Sequence, residues 1–190
     1  MTKVAIVYFS ATGNTKLMAE AVAEGANSVA DTEAQLLRIT GEQIDAGRWQ
    51  DEAVIEALNA ADAIVIGTPT YMGGVAAQLK AFIDAAGAIW MSQGWKNKIA
   101  GGFTHSGSPS GDKQGTLLYL ATNAAQHGMV WVGFAELANE EGVNRVGSFL
   151  GAMGYGRAAG EVDPGDIKSS QLYGQRLAKA THAWGAAEMT

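Results

Sequence analysis

The chain has no cysteine among its 190 residues. That absence excludes disulfides, thiolate metal sites, iron–sulfur clusters and a thiol nucleophile together, since each needs that one side chain. Runs of lysine or arginine are missing too: 13 basic residues stand against 19 acidic ones, for a net charge of −6 and a pI near 5.0. A duplex nucleic-acid binder needs a basic face to neutralise phosphates, so no nucleic-acid partner is expected. The opening MTKVAIVYFS is too short in its apolar part for a membrane span and carries no small-residue cleavage site. No membrane partner is therefore expected, and a cytoplasmic location is. What is present, 47% hydrophobic and 17% charged residues, suffices for one sizeable core and predicts a single domain over 1–190.

Apolar runs with β-branched residues alternate with stretches of helical spacing. Strands are expected over 4–9, 34–39, 63–67, 99–104 and 129–133, and helices over 15–24, 51–59, 75–86, 112–126 and 164–182. Residues 134–164, rich in Gly and Ala and without a clear period, interrupt the rhythm. An irregular stretch of that length is expected to be a functional or interface loop. Strand and helix alternating in this way predict a doubly wound parallel α/β sheet, whose ligands sit at the carboxyl ends of the strands.

The loops at three of those strand ends share one chemistry: SATGNT (10–15), TPTYMGG (68–74) and THSGSPSGD (104–112). Any single such loop is accounted for by turn propensity, but three at one sheet edge are less easily so. In the first, Ser10, Thr12 and Thr15 with the amides around Gly13 and Asn14 form a donor-rich nest at a helix start, which suits an anion. It is not G-x-x-x-x-G-K-S/T, so no lysine reaches a nucleotide's outer phosphates, and it is not G-x-G-x-x-G. A single phosphate monoester is the better fit. Tyr71, Met72 and Trp90 are candidates to face a flat ring, with a core role expected for one of Trp90 and Trp95. Of the histidines, His105 and His127 fall near element ends, while two histidines without Cys or a paired carboxylate make a poor metal site, so no metal is expected. Ser106 and Ser108 lack the elbow and acid partner of a serine hydrolase.

SATGNT resembles the flavodoxin phosphate loop S/T-x-T-G-x-T, in its place after the first strand. GTPTYMGGVAAQLKAFIDAAG (67–87), Trp90, GGFTHSGSPSGDKQGT (101–116), QHGM (126–129) and GYGRAAG (154–160) are similar to the type IV NAD(P)H:quinone oxidoreductases, the tryptophan-repressor-binding-protein-like group. The chain departs from that group at Met72, where an aromatic is usual, and at Pro109 and Ser110, where glycine is. The resemblance implies a flavodoxin-like five-stranded parallel sheet in the order 2-1-3-4-5 with helices on both faces. It implies FMN, its phosphate on Ser10, Ala11, Thr12, Gly13, Asn14 and Thr15, its ring against Pro69, Thr70, Tyr71, Met72 and Gly73, with His105, Ser106, Gly107 and Ser108 flanking. His127 would be a further cofactor contact and, with Trp90, a catalytic residue. The activity implied is two-electron reduction of a quinone by NAD(P)H through ping-pong hydride transfer, in a homo-oligomer (dimer or tetramer) with 134–164 at the interface. Two alternatives stand beside it: a one-electron flavodoxin carrier, which acidic charge would steer to basic partners, and an FMN-loaded interaction protein.

Overall fold

The computed structural model describes residues 1–188. Its elements are β1 (Thr2–Phe9), α1 (Asn14–Asn27), β2 (Thr32–Ile39), a short hairpin of β3 (Ile44–Asp45) and β4 (Arg48–Trp49), α2 (Glu52–Ala60), β5 (Ala63–Tyr71), β6 (Gly74–Val75), α3 (Ala77–Ala85), α4 (Gly87–Ser92), β7 (Ile99–Ser106), α5 (Lys113–Gln126), β8 (Val130–Trp131), β9 (Ala152–Tyr155) and α6 (Pro164–Glu188). The main sheet runs β2-β1-β5-β7-β8, parallel throughout. Counting only the expected strands, this is the order 2-1-3-4-5, a flavodoxin-like fold. The hairpin β3–β4 and the helix α4 were not anticipated, and α6 continues beyond 182 to Glu188.

Side chains alternate across the sheet because strand residues point to opposite faces. On one face Val7, Ile64 and Ile66 pack with Leu79, Phe82, Leu117 and Leu120 of α3 and α5. On the other, Val4, Ile6, Val65 and Phe103 pack with Met18 and Val22 of α1 and with Tyr173 and Leu177 of α6. Each such side chain, fully withdrawn from water, contributes about 1.5–3 kcal/mol. Helices α1 and α6 approach with no room for side chains between them: a Cβ on Gly174 would lie 2.0 Å from the Val22 carbonyl oxygen. This close packing seats the start of α1 against the edge of the sheet.

The fifth strand differs from expectation. In place of one run over 129–133, β8 pairs with Ile99 and Ala100 at the start of β7, and β9 pairs with Phe103 to Ser106 at its end. The chain between leaves the sheet and returns, closing where Phe134 N donates to Phe149 O at 2.9 Å and where Gly133 and Gly151 allow backbone contact. Phe134 and Val143 pack under α6, and Asn144 fastens the segment, donating from Nδ2 to Glu136 O and from its backbone N to Ser169 Oγ, both 2.8 Å. Residues 134–164 therefore hold a strand and a packed loop, and Met153 and Leu150 go to the core while Phe149 stays exposed. Among the described residues no helix is long and apolar enough to cross a membrane.

Candidate functional site

The first loop leaves β1 at Ser10 and enters α1 at Asn14. Buried Ser10 accepts N–H bonds at Oγ from Gly13 and Lys16, both 3.2 Å, which leaves its hydroxyl proton to be donated. Gly13 stands at φ 94°, and a Cβ there would meet Gly160 Cα at 3.2 Å. Only glycine adopts this turn at no steric cost. Asn14 Nδ2 donates to Ala158 O at 2.8 Å and Glu161 O at 2.6 Å, while its Oδ1 accepts from Thr12 Oγ1 at 2.7 Å. Thr12 and Asn14 thus hold the loop's shape and tie it to the 158–161 segment. Among the described residues the backbone N–H groups of Asn14 and Thr15 have no protein acceptor. They sit at the positive end of a 14-residue helix with no acidic residue in its first turn. Unpaired amides, a free hydroxyl proton and the helix dipole together fit a phosphate monoester.

The second loop is a tight hairpin between β5 and β6. Met72 (φ 49°) and Gly73 (φ 78°) are both left-handed, the two-residue turn whose twist matches paired strands. For Met72 that conformation costs about 1–2 kcal/mol, and its side chain is wholly exposed beside half-exposed Tyr71. Thr70 instead turns inward, its Oγ1 lying 2.8 Å from both Thr104 Oγ1 and Thr116 Oγ1 in a buried hydroxyl triad that joins β5, β7 and α5. Thr68 Oγ1 donates to Pro69 O and accepts from Ala76 N, fixing the other side of the turn.

The third loop follows β7. Ser106 Oγ donates to Ser108 O at 2.9 Å, and fully buried Lys113 donates from Nζ to Ser106 Oγ, Ser108 O and Pro109 O at 2.8–2.9 Å. Gly107 and Ser108 are exposed. Between the second and third loops and the returning segment lies a cleft of about 790 Å³, bordered by Gly73, Pro109, Ser110, Gly115, Ser148 and Tyr155. His105 is buried on the α6 side, its Nε2 without a partner, and burial lowers its pKa to about 4 despite nearby Asp166. It is therefore neutral at pH 7. Asp166 is itself buried and receives Arg145 Nε at 2.8 Å, Arg145 Nη2 at 2.6 Å and Tyr155 N at 3.1 Å. The Arg145 guanidinium stacks 3.8 Å over the Tyr155 ring.

Trp90 and His127 are not brought to these loops within one chain. Helix α5 starts at the carboxyl end of β7 and runs back, and Gly128 O accepts from Asn97 N beside the first residues of β7. At about 1.5 Å per residue, its length puts His127 roughly 20 Å from the third loop, at the amino edge of the sheet. There Gln93 Nε2 donates to both Trp90 O (2.8 Å) and Gln126 O (3.3 Å). His127 is buried against Trp95, ring centroids 4.7 Å apart, and burial lowers its pKa. Trp95 is the core tryptophan of the pair, with Nε1 donating to Asn59 Oδ1 at 2.8 Å, and Trp90 is half exposed. Conversely, sequence reasoning passed over Arg145 and Asp166, whose pairing appears only when the returning segment meets α6, and Lys113, whose acceptors lie in the loop just before it. Among the described residues no cluster of His, Asp and Glu could hold a metal.

A doubly wound sheet of this order, with a phosphate-shaped helix start among three loops at its carboxyl edge, defines a flavodoxin-like flavoprotein. The chain belongs to the NADPH-dependent FMN reductase family, which matches residues 2–143. It is 36% identical to Flavodoxin FldP of Pseudomonas aeruginosa (strain UCBPP-PA14), over 94% of this chain and 96% of that protein. It is 35% identical to Quinone-oxidoreductase QR2 of Triphysaria versicolor, over 93% and 92% respectively. Among solved structures, a flavodoxin, WrbA-like protein from Agrobacterium tumefaciens superposes with a TM-score of 0.77 at 39% identity, over 96% of this chain and 99% of that one.

Proposed function

We propose that this chain is an FMN-dependent NAD(P)H:quinone oxidoreductase acting in the cytoplasm as a homo-oligomer. The observation that carries the reading is the open start of α1, with the Ser10 hydroxyl proton and the Asn14 and Thr15 amides unengaged. When bound, FMN supplies the hydride acceptor for NAD(P)H and the two-electron donor for the quinone. Ser10, Ala11, Thr12, Gly13, Asn14 and Thr15 hold its phosphate, and Thr12 and Asn14 do so by keeping the loop in shape. Pro69, Thr70, Tyr71, Met72 and Gly73 border the ring on one side, Thr70 through its backbone, and His105, Ser106, Gly107 and Ser108 on the other. Neutral His105 adds no charge to that wall near pH 7, where the charged group is the Lys113 ammonium bonded to Ser106 and Ser108. Trp90 and His127 serve such a site only from a second copy of the chain, Trp90 offering an aromatic face and His127 orienting a quinone oxygen. The relatives named as quinone oxidoreductases support this activity.

The carrier reading has its own support in the FldP relative and the net charge of −6. Steady-state turnover of FMN-loaded protein with NADH or NADPH and a simple quinone separates the two. Sustained quinone reduction is expected, and a protein that holds FMN but turns over with neither donor is not this enzyme.

A further inference from the structure

A lysine with no exposed surface is uncommon unless its ammonium is paired, since burying an isolated charge is costly. Lys113 is such a residue, and its Nζ donates to Ser106 Oγ at 2.9 Å and to the carbonyls of Ser108 and Pro109, each at 2.8 Å. It has no carboxylate contact; all three partners belong to the loop that precedes it. The backbone makes this possible, because Gly111 and Asp112 both stand at φ 54° and fold the first residue of α5 beneath its own entry loop. A Cβ on Gly111 would fall 2.2 Å from Ser106 Oγ, inside the hydroxyl that the lysine engages.

We propose that Lys113 is the positioning residue of the third loop: by gathering two carbonyls inward it turns the loop's peptide planes so that the one donor they carry, the Ser110 N–H, faces outward, to the side where the flavin ring is received. A trans peptide sets its N–H opposite its C=O. The Pro109 carbonyl points to Lys113, so the Ser110 N–H of the same peptide points away from it, and the peptide before Pro109 has no N–H to misdirect. The inference rests on the flavin reading for the purpose of the loop, and on the loop's own geometry for its mechanism.

The groups facing the ammonium are few. The Tyr155 ring of β9 has its centroid 5.9 Å from Nζ. Arg145 of the returning segment, which opposes a second positive charge, is matched by Asp166 of α6, which favours it. His105 of β7 is neutral at pH 7. Burial lowers Lys113 to about 8, so it is still an ammonium at neutral pH. Above that, an amine with two N–H bonds faces three acceptors, and the loop loses a tie. Global stability moves the other way. A base whose pKa is lowered on folding leaves the unfolded chain holding more protons, so stability rises from about pH 8 towards the ordinary lysine value.

Two measurements test this. In flavin-free protein, carbon-detected NMR follows the Lys113 Cε and the Ser108 and Pro109 carbonyl carbons from pH 6.5 to 10.5. The carbonyls are expected to shift with the midpoint of Lys113, and carbonyls that do not follow it overturn the proposal whatever the chain binds. In Lys113→Met, FMN and riboflavin should weaken together by about tenfold or more, on the scale of charge-assisted hydrogen bonds, because the phosphate loop is untouched. Unchanged riboflavin affinity in a folded variant overturns the proposal, and if the variant does not fold, the wild-type titration decides. Failure of the flavin reading shows separately, as no preference for FMN over riboflavin in the wild-type chain.

Discussion

The two edges of the sheet are built from similar residues and finished in opposite ways. At the carboxyl edge the backbone is bent at Gly13, Met72, Gly73, Gly111 and Asp112, and polar side chains are used to hold loops while leaving the first amides of α1 unpaired. At the amino edge most polar groups are closed: Trp95 Nε1 meets Asn59 and Lys98 Nζ reaches the carbonyls of Asn59 and Ala61, while His127, stacked on Trp95 away from water, keeps its Nδ1 without a partner. Among the large hydrophobic side chains that edge shows to solvent are Trp90 and Met91. An edge with open helix amides is suited to receive a ligand; an edge with mostly paired polar groups and an exposed aromatic is suited to offer a surface to one. The proposed site needs both sets of residues, and within one chain α5 sets them at opposite edges.

The sharpest break of this contrast is complementation. Trp90→Ala and Gly13→Val chains should each lose most quinone turnover, and mixed, reassembled oligomers should recover it, because one chain supplies the phosphate loop and the other the aromatic. Mixtures no more active than the separate variants would show that both edges act within one chain or that Trp90 has no part. In Trp90→Ala alone, FMN affinity should stay within a few-fold of wild type.

Next in size is the loop itself. Gly13→Ala places a Cβ 3.2 Å from Gly160 Cα at a left-handed position, a strain of about 1–2 kcal/mol that should lower FMN affinity roughly tenfold or more in an equilibrium titration. Riboflavin binding should hardly change. Equal losses would mean that the first loop does not hold the phosphate.

Acid should then separate the buried histidines from the rest. His105 has its pKa lowered to about 4 and His127 is lowered as well, so from the ordinary histidine value downwards the unfolded chain binds more protons. Stability is complete above about pH 6.5 and is lost as pH falls towards 4, by at most about 1.4 kcal/mol per pH unit for each group. Denaturant midpoints across that range should show the slope, and His105→Asn should flatten it.

The smallest effect belongs to the hydroxyl triad beneath the ring loops. Thr116→Val removes one 2.8 Å bond to Thr70 and leaves the Thr104 bond in place. The loss should be about 1 kcal/mol, or a fall of about 2–4 °C in Tm for a chain of this size.

Legibility in the sequence followed the range of the forces involved. The continuous runs AIVYF and AIVIG announce strands buried on both faces, and SATGNT announces an anion site at a helix start, since turn chemistry and helix amides act within a few residues. The split fifth strand was not legible: AMGY is four residues between glycines, and it becomes a strand because the end of β7 offers an unpaired edge. Lys113 gave no signal, because a lone lysine at a helix start is ordinarily solvated and only the fold places three acceptors on it. The QHGM likeness points to His127, yet the direction of α5 decides which edge that histidine occupies. Periodicity and turn chemistry, which are local, thus pointed to the layers and to the anion-suited first loop, while the strand order came from the likeness of the motifs to a family. Which polar groups are paired, which remain open, and which edge each residue serves depend on contacts between elements far apart in the chain, and those the packing of the sheet and its helices alone decided.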